Sequence, residues 1–128
     1  MTTVTGSCLC GAVRYHAGGP LRDVVICHCD MCRKAHGHVG AYTAVAAESF
    51  RLVEPRGLRW YRSSTDVRRG FCGECGSTLF WVRDGTDRLS IAAGTLDAPT
   101  GLHTTLQIHV GSAGDYYAVD GSIPIREG

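Results

Sequence analysis

Seven cysteines hold most of the chemistry legible in this chain, and they fall into three tight groups: Cys8 and Cys10 in CLCG, Cys27, Cys29 and Cys32 in CHCDMC, and Cys72 and Cys75 in CGECG. A disulfide framework spreads its cysteines so that each bridge closes a loop. An odd number packed two and three residues apart suits convergence on an ion instead. Zn2+ is the expected metal, drawing four cysteine or histidine ligands into a tetrahedron at about 2.3 Å per sulfur. In CGECG, Gly73 and Gly76 permit the tight turn of a metal knuckle and free backbone N–H groups to face the sulfurs. The two-residue spacing of Cys8 and Cys10 puts both side chains on one face if the segment is an extended strand. Joined, Cys8, Cys10, Cys72 and Cys75 complete a closed four-sulfur site, the pattern of structural zinc, clamping an N-terminal strand to a knuckle far along the chain.

That division leaves Cys27, Cys29 and Cys32 to offer three sulfurs to a four-coordinate ion. Two arrangements follow. In one, a histidine completes a second structural site, with His28, His36 and His38 near in sequence and His103 or His109 brought in by folding. In the other, the fourth position is open to solvent or substrate, as in catalytic zinc. Three thiolates outweigh the charge of Zn2+ by one, so an open site of this kind is a poorer Lewis acid than zinc on neutral histidines. It favours a soft ligand and would hold a substrate thiol deprotonated near neutral pH, as a nucleophile for an electrophile such as an aldehyde.

The elements that must position these groups read mostly as strands. Alternating or β-branched apolar runs predict strands over 12–16, 23–27, 39–45, 51–53, 58–62, 67–71, 77–83, 88–94, 102–110 and 116–119, with DGTD as a hairpin turn. RKAHGH has room for one short helical turn ending near Gly37. No segment keeps a helical period, so the expectation is one all-β domain over residues 1–128, without linker or repeat. A hydrophobic content of 44% and a charged content of 20% suit a soluble globular chain with a core of its own. A net charge of +1 makes no global case for nucleic acid or membrane partners. MTTVTGSCLCG has no signal-peptide pattern and no apolar run approaches a bilayer span, which points to the cytoplasm. Thiols stay reduced there, and clustered cysteines more often mean metal or catalysis than bridges.

Taken in order, CLCGAVRY, CHCDMCRKAHG, FCGECGSTLF and AGTLD resemble the glutathione-dependent formaldehyde-activating enzyme family. That family includes centromere protein V and shares a zinc-bound β fold with a Rab-GTPase-binding chaperone. The resemblance runs from about Gly6 to Asp97. It implies a zinc-stabilised β-tent of small twisted antiparallel sheets holding two zinc ions. Cys8, Cys10, Cys72 and Cys75 would hold the structural ion, and Cys27, Cys29 and Cys32 the catalytic one. It also implies a carbon–sulfur lyase whose named reaction joins glutathione to formaldehyde as S-hydroxymethylglutathione. The partners would then be a small thiol such as glutathione and an aldehyde. Glutathione carries two carboxylates, so Arg33 and Lys34, directly after Cys32, are the candidate substrate-binding groups, although an exposed pair of charges is more often simply solvated. The competing expectation is a non-catalytic zinc-stabilised β module that binds a protein or nucleic-acid partner.

Three further groups bear on the choice. His28 lies between two proposed ligands, so on a strand it faces away from the metal. His36 and His38 could instead close the site or relay a proton. Trp60, Tyr61, Phe80 and Trp81 sit in expected strands and read as core. Arg56, Arg59, Arg62, Arg68 and Arg69 form an arginine-rich stretch, but alternation spreads them over sheet faces and the nucleic-acid case stays weak.

Overall fold

The period-two patterning becomes ten strands and one short helix in the computed structural model, which describes residues 3–128; residues 1 and 2 of the expected domain lie outside it. In chain order the strands are β1 (Thr3–Ser7), β2 (Arg14–Gly18), β3 (Val24–Cys27), β4 (Gly40–Ala46), β5 (Phe50–Glu54), β6 (Leu58–Arg62), β7 (Val67–Cys72), β8 (Thr78–Arg83), β9 (Arg88–Ala92) and β10 (Thr104–Ile108). They form a three-stranded sheet in the order β1-β2-β5 and a seven-stranded sheet in the order β10-β3-β4-β9-β8-β7-β6. The expected all-β class holds, and DGTD does turn β8 antiparallel onto β9.

The pairing is antiparallel with one departure, because β10 lies parallel to β3. The chain leaves β9 and passes β4 and β3 to reach the sheet edge, and such a crossover lays the new strand parallel. The predicted strand at 116–119 is a second departure. Tyr116 and Tyr117 are in a turn, with their hydroxyls on His38 and His28, and only Ile125 bridges to β10, at Gln107. Cys8 and Cys10 are not on a strand either. β1 ends at Ser7, and the cysteines occupy the turn that carries β1 into β2, closed by Cys8 N–H on the Val13 carbonyl at 3.0 Å.

Side-chain alternation gives the seven-stranded sheet two different faces. Val45, Phe80, Leu89 and Ile91 point toward the three-stranded sheet and build the main core with Tyr15, Ala17 and Leu79. Tyr15 is fully buried, with its hydroxyl paired to Thr95 Oγ1 at 2.7 Å, so the largest core residue leaves no polar atom stranded. The neighbouring residues Tyr42, Trp81 and Ala92 point the other way and pack with Cys27, Cys29 and Cys32. Hydrophobic core and second cysteine cluster are thus on opposite faces of one sheet.

The helix α1 (Asp30–His36) starts inside CHCDMC rather than after it. Cys29 is its N-cap, with Sγ accepting the Cys32 N–H at 3.3 Å, and Gly37 ends it at φ 80°, a left-handed conformation that suits glycine. The turn expected from RKAHGH is therefore extended backward by a sulfur acting as a cap. Among the described residues no helix is long and apolar enough to cross a membrane.

Candidate metal centres and the adjoining cleft

The turn after β1 and the turn after β7 bring four sulfurs together. Those of Cys8, Cys10, Cys72 and Cys75 all lie within 4.8 Å of one another, with Cys8–Cys10 and Cys10–Cys72 at 3.8 Å. A regular tetrahedron of sulfurs at about 2.3 Å from zinc has edges of about 3.8 Å, so the set fits zinc. Backbone donors converge on the sulfurs: Val13 N–H reaches Cys8 at 3.3 Å, and Glu74 and Cys75 N–H reach Cys72 at 3.4 and 3.5 Å. Ser77 accepts the Leu9 N–H and pairs with Cys75 Sγ at 3.2 Å, joining the two turns. The Ser77 side chain and backbone, against burial, bring the Cys75 thiol down to about 5. Gly57 explains how closely the walls fit. A Cβ there would stand 2.8 Å from Cys72 Sγ and from Ala12 Cβ.

The second cluster comes from the end of β3 and the start of α1. The sulfurs of Cys27, Cys29 and Cys32 lie within 4.8 Å of one another, and among the described residues no fourth side chain of metal-ligating type joins them within that reach. All seven cysteines are free thiols. The trio lines a cleft of about 460 Å³ with apolar walls from Val25, Met31, Trp81 and Ile108. Its ionisable lining besides the thiols is Arg22, Arg69, Arg83, His109 and Tyr42, with no carboxylate among them.

Arg69 matters most. It is only 7% exposed, and its guanidinium reaches Cys32 Sγ at 3.8 Å, the Tyr42 hydroxyl at 3.4 Å and Ser63 Oγ at 3.3 Å. A buried guanidinium needs an opposite charge, and the thiols are the groups beside it that can supply one. The Cys32 thiol is brought down to about 5, first by the hydrogen bond from Cys27 and then by Arg69, with burial opposing. Cys27 is pushed up, first through the same hydrogen bond with Cys32 and then by burial. Arg22 is held by the Tyr42 and Asp23 carbonyl oxygens, and among the described residues no carboxylate pairs with it. Arg83 pairs with Asp66 and is spread over Trp81 at 5.4 Å.

The other expected residues scatter. Arg33 is half-buried and pairs with Asp30 at 2.8 Å, Lys34 is exposed, and neither lines the cleft. His28 does face away from the cysteines, with Nδ1 on the Tyr117 hydroxyl and Nε2 on Gln107. His36 Nε2 bonds the Tyr42 hydroxyl at 2.6 Å and His38 bonds Tyr116, while His109 is the histidine that reaches the cleft. Of the four aromatics, Phe80 is core and Trp81 lines the cleft. Trp60 and Tyr61 are exposed because β6 is an edge strand. The arginine-rich stretch hid Arg69. Arg56 and Arg62 pair with Glu74 and Asp84, and Arg68 stacks on Trp60 at 4.3 Å. Its position two residues from apolar Val67, hence on the same inward face of β7, was the available signal.

Comparison with known proteins agrees with this fold. The crystal structure of a Rhodobacter sphaeroides protein is similar to this chain at 25% identity and a TM-score of 0.61, covering 73% of this chain and 88% of that one. Residues 3–112 match the family described as glutathione-dependent formaldehyde-activating enzyme.

Proposed function

Because this chain belongs to the glutathione-dependent formaldehyde-activating enzyme family, we propose that it makes or breaks the carbon–sulfur bond of a thiol–aldehyde adduct such as S-hydroxymethylglutathione. Cys8, Cys10, Cys72 and Cys75 would hold a structural zinc, and Cys27, Cys29 and Cys32 a catalytic one. The observation that carries the assignment is the cleft itself, where three clustered thiols face arginines and no carboxylate. Zinc bound there would supply a soft Lewis acid that keeps an incoming thiol deprotonated.

The chain's own groups do the rest. Arg69 offsets the excess negative charge of the thiolates and holds Cys32 in place. Arg22 is free to receive a substrate carboxylate, and Arg83 offers a weaker second anchor because Asp66 shares its charge. These two replace Arg33 and Lys34 as the substrate-binding groups. Val25, Trp81 and Ile108 give the reacting carbon a wall with little water. In the forward direction the thiolate pair forms the new C–S bond, the C=O π pair moves to oxygen, and that oxygen takes a proton from His109 or from water.

Exchange NMR of glutathione and formaldehyde gives the test, since the uncatalysed reaction sets a background. Zinc-loaded wild type should exceed background, while Cys29→Ser falls to it and retains its fold. Equal rates for the two proteins would remove the proposed reaction.

A further inference from the structure

The segment His28–His38 carries two of the three clustered thiols, yet little apolar packing holds it. Its helix has seven residues, of which only Cys32 is buried. A helix that short is unstable alone, so its position must come from restraints along the segment. Thr78 on the Ala35 carbonyl and His36 on Tyr42 pin the C-terminal turn. The two ends are held by consecutive residues of the tail. Tyr117 Oη meets His28 Nδ1 at 2.6 Å, and Tyr116 Oη meets His38 Nδ1 at 2.8 Å. The tyrosine rings pack on each other at 4.8 Å, and Tyr117 stacks against His28 with its ring plane tilted by only 16°.

Gln107 fixes the direction of both His28 hydrogen bonds. Gln107 Nε2 donates to the Asp120 carbonyl at 2.7 Å, so Gln107 Oε1 faces His28 Nε2 and accepts from it at 3.0 Å. With the His28 proton on Nε2, Nδ1 accepts from the Tyr117 hydroxyl. The tail itself is fastened to the end of β10 by Gln107 N–H on the Pro124 carbonyl at 2.9 Å and Arg126 N–H on the Gln107 carbonyl at 2.8 Å. The family match ends at residue 112, so these tyrosines lie outside it.

Resting on the assignment of Cys27, Cys29 and Cys32 as metal ligands, we propose that Tyr116 and Tyr117 form a clamp that holds both ends of the His28–His38 segment and so sets how slowly the second cluster gives up its metal. His28, locked between Tyr117 and Gln107, is the positioning residue through which the clamp acts on Cys27 and Cys29. The first cluster, built from the turns after β1 and β7, shares no residue with the clamped segment.

The test uses the full chain loaded with two zinc ions and a chromophoric chelator that reads their release, with Cys29→Ser assigning the phase that belongs to the second cluster. Tyr117→Phe keeps the stacked ring and deletes one hydroxyl. It should speed that phase by about tenfold, leave the other phase and the melting temperature unchanged, and alter the cobalt(II) spectrum of the three-sulfur site. Tyr116→Phe should have a smaller effect of the same kind. Tyr61→Phe, on β6 at the far edge of the seven-stranded sheet, should behave as wild type. Unchanged release in Tyr117→Phe, or equal acceleration of both phases with a lower melting temperature, overturns the clamp alone. A wild type that binds one zinc only overturns the metal assignment and the clamp with it.

Discussion

The two cysteine clusters use the same ligand atoms and are built on opposite principles. The first is anchored in the main core through Cys72, fully buried, and Cys8, 4% exposed, while Cys10 faces solvent, and backbone N–H groups from two turns converge on the sulfurs. Four sulfurs close it. The second sits on the other face of the seven-stranded sheet, with three sulfurs, one backbone N–H on Cys29, the guanidinium of Arg69 beside Cys32, and a cleft in front. Ligand chemistry alone does not distinguish the two clusters. The surroundings do, because only the trio lines the arginine-bearing cleft.

Removing one ligand from each cluster should break the comparison open most clearly. A structural zinc contributes about 10 kcal/mol or more, comparable with the whole net stability of about 5–15 kcal/mol for a domain. Cys72→Ser should therefore unfold the chain by circular dichroism, whereas Cys29→Ser should stay folded and bind one zinc fewer by elemental analysis. If both variants unfold, the second cluster is structural too.

Arg69→Met comes next. It leaves the Cys32 thiolate without its cationic neighbour but fills the space with an apolar chain, which a buried site tolerates. Zinc affinity at the second cluster should fall about 10- to 100-fold in chelator competition, while the first cluster is untouched. Affinity unchanged at both would mean that the guanidinium does not balance the thiolates.

A smaller and opposite asymmetry is expected from Gly57→Ala, whose new methyl would press on Cys72 and Ala12. Overpacking of this kind costs about 1–3 kcal/mol, so denaturant midpoints should drop while second-cluster cobalt spectra stay as in wild type.

The weakest effect concerns pH. Burial, and then the charge of Arg69, hold the His36 imidazole below its ordinary value of 6.5. The folded chain refuses a proton that the unfolded chain accepts, so this contribution is complete above about pH 6.5 and is lost as pH falls through the lower folded value. His36→Gln should flatten part of the stability slope between about pH 7 and about pH 5.5, measured by urea unfolding at fixed free zinc. An unchanged slope would assign the acid sensitivity to the thiolates instead.

Much of this architecture was legible beforehand, for local reasons. LRWYR forms β6 over the predicted residues, and DGTD makes the predicted hairpin, because alternation and turn chemistry act over a few residues. The grouping of cysteines followed from their spacing. What escaped were features set by a neighbour distant in sequence. Tyr116 and Tyr117 look like strand residues until His38 and His28 are placed beside them. Arg69 looks like one arginine in a basic run until β7 turns it inward against Cys32. Arg33 and Lys34 look well placed until the helix carries both away from the cleft lining.

Residue types and short spacings were enough to specify that this chain makes sheets and carries seven thiols in three tight groups, since both depend on near neighbours in sequence. Which face of the sheet meets water, which side chains line the cleft, and which arginine stands beside the trio depended on strands brought together from across the chain. Charge and solvent access at a sulfur are properties of its surroundings in space, and those surroundings exist only once the sheets have packed.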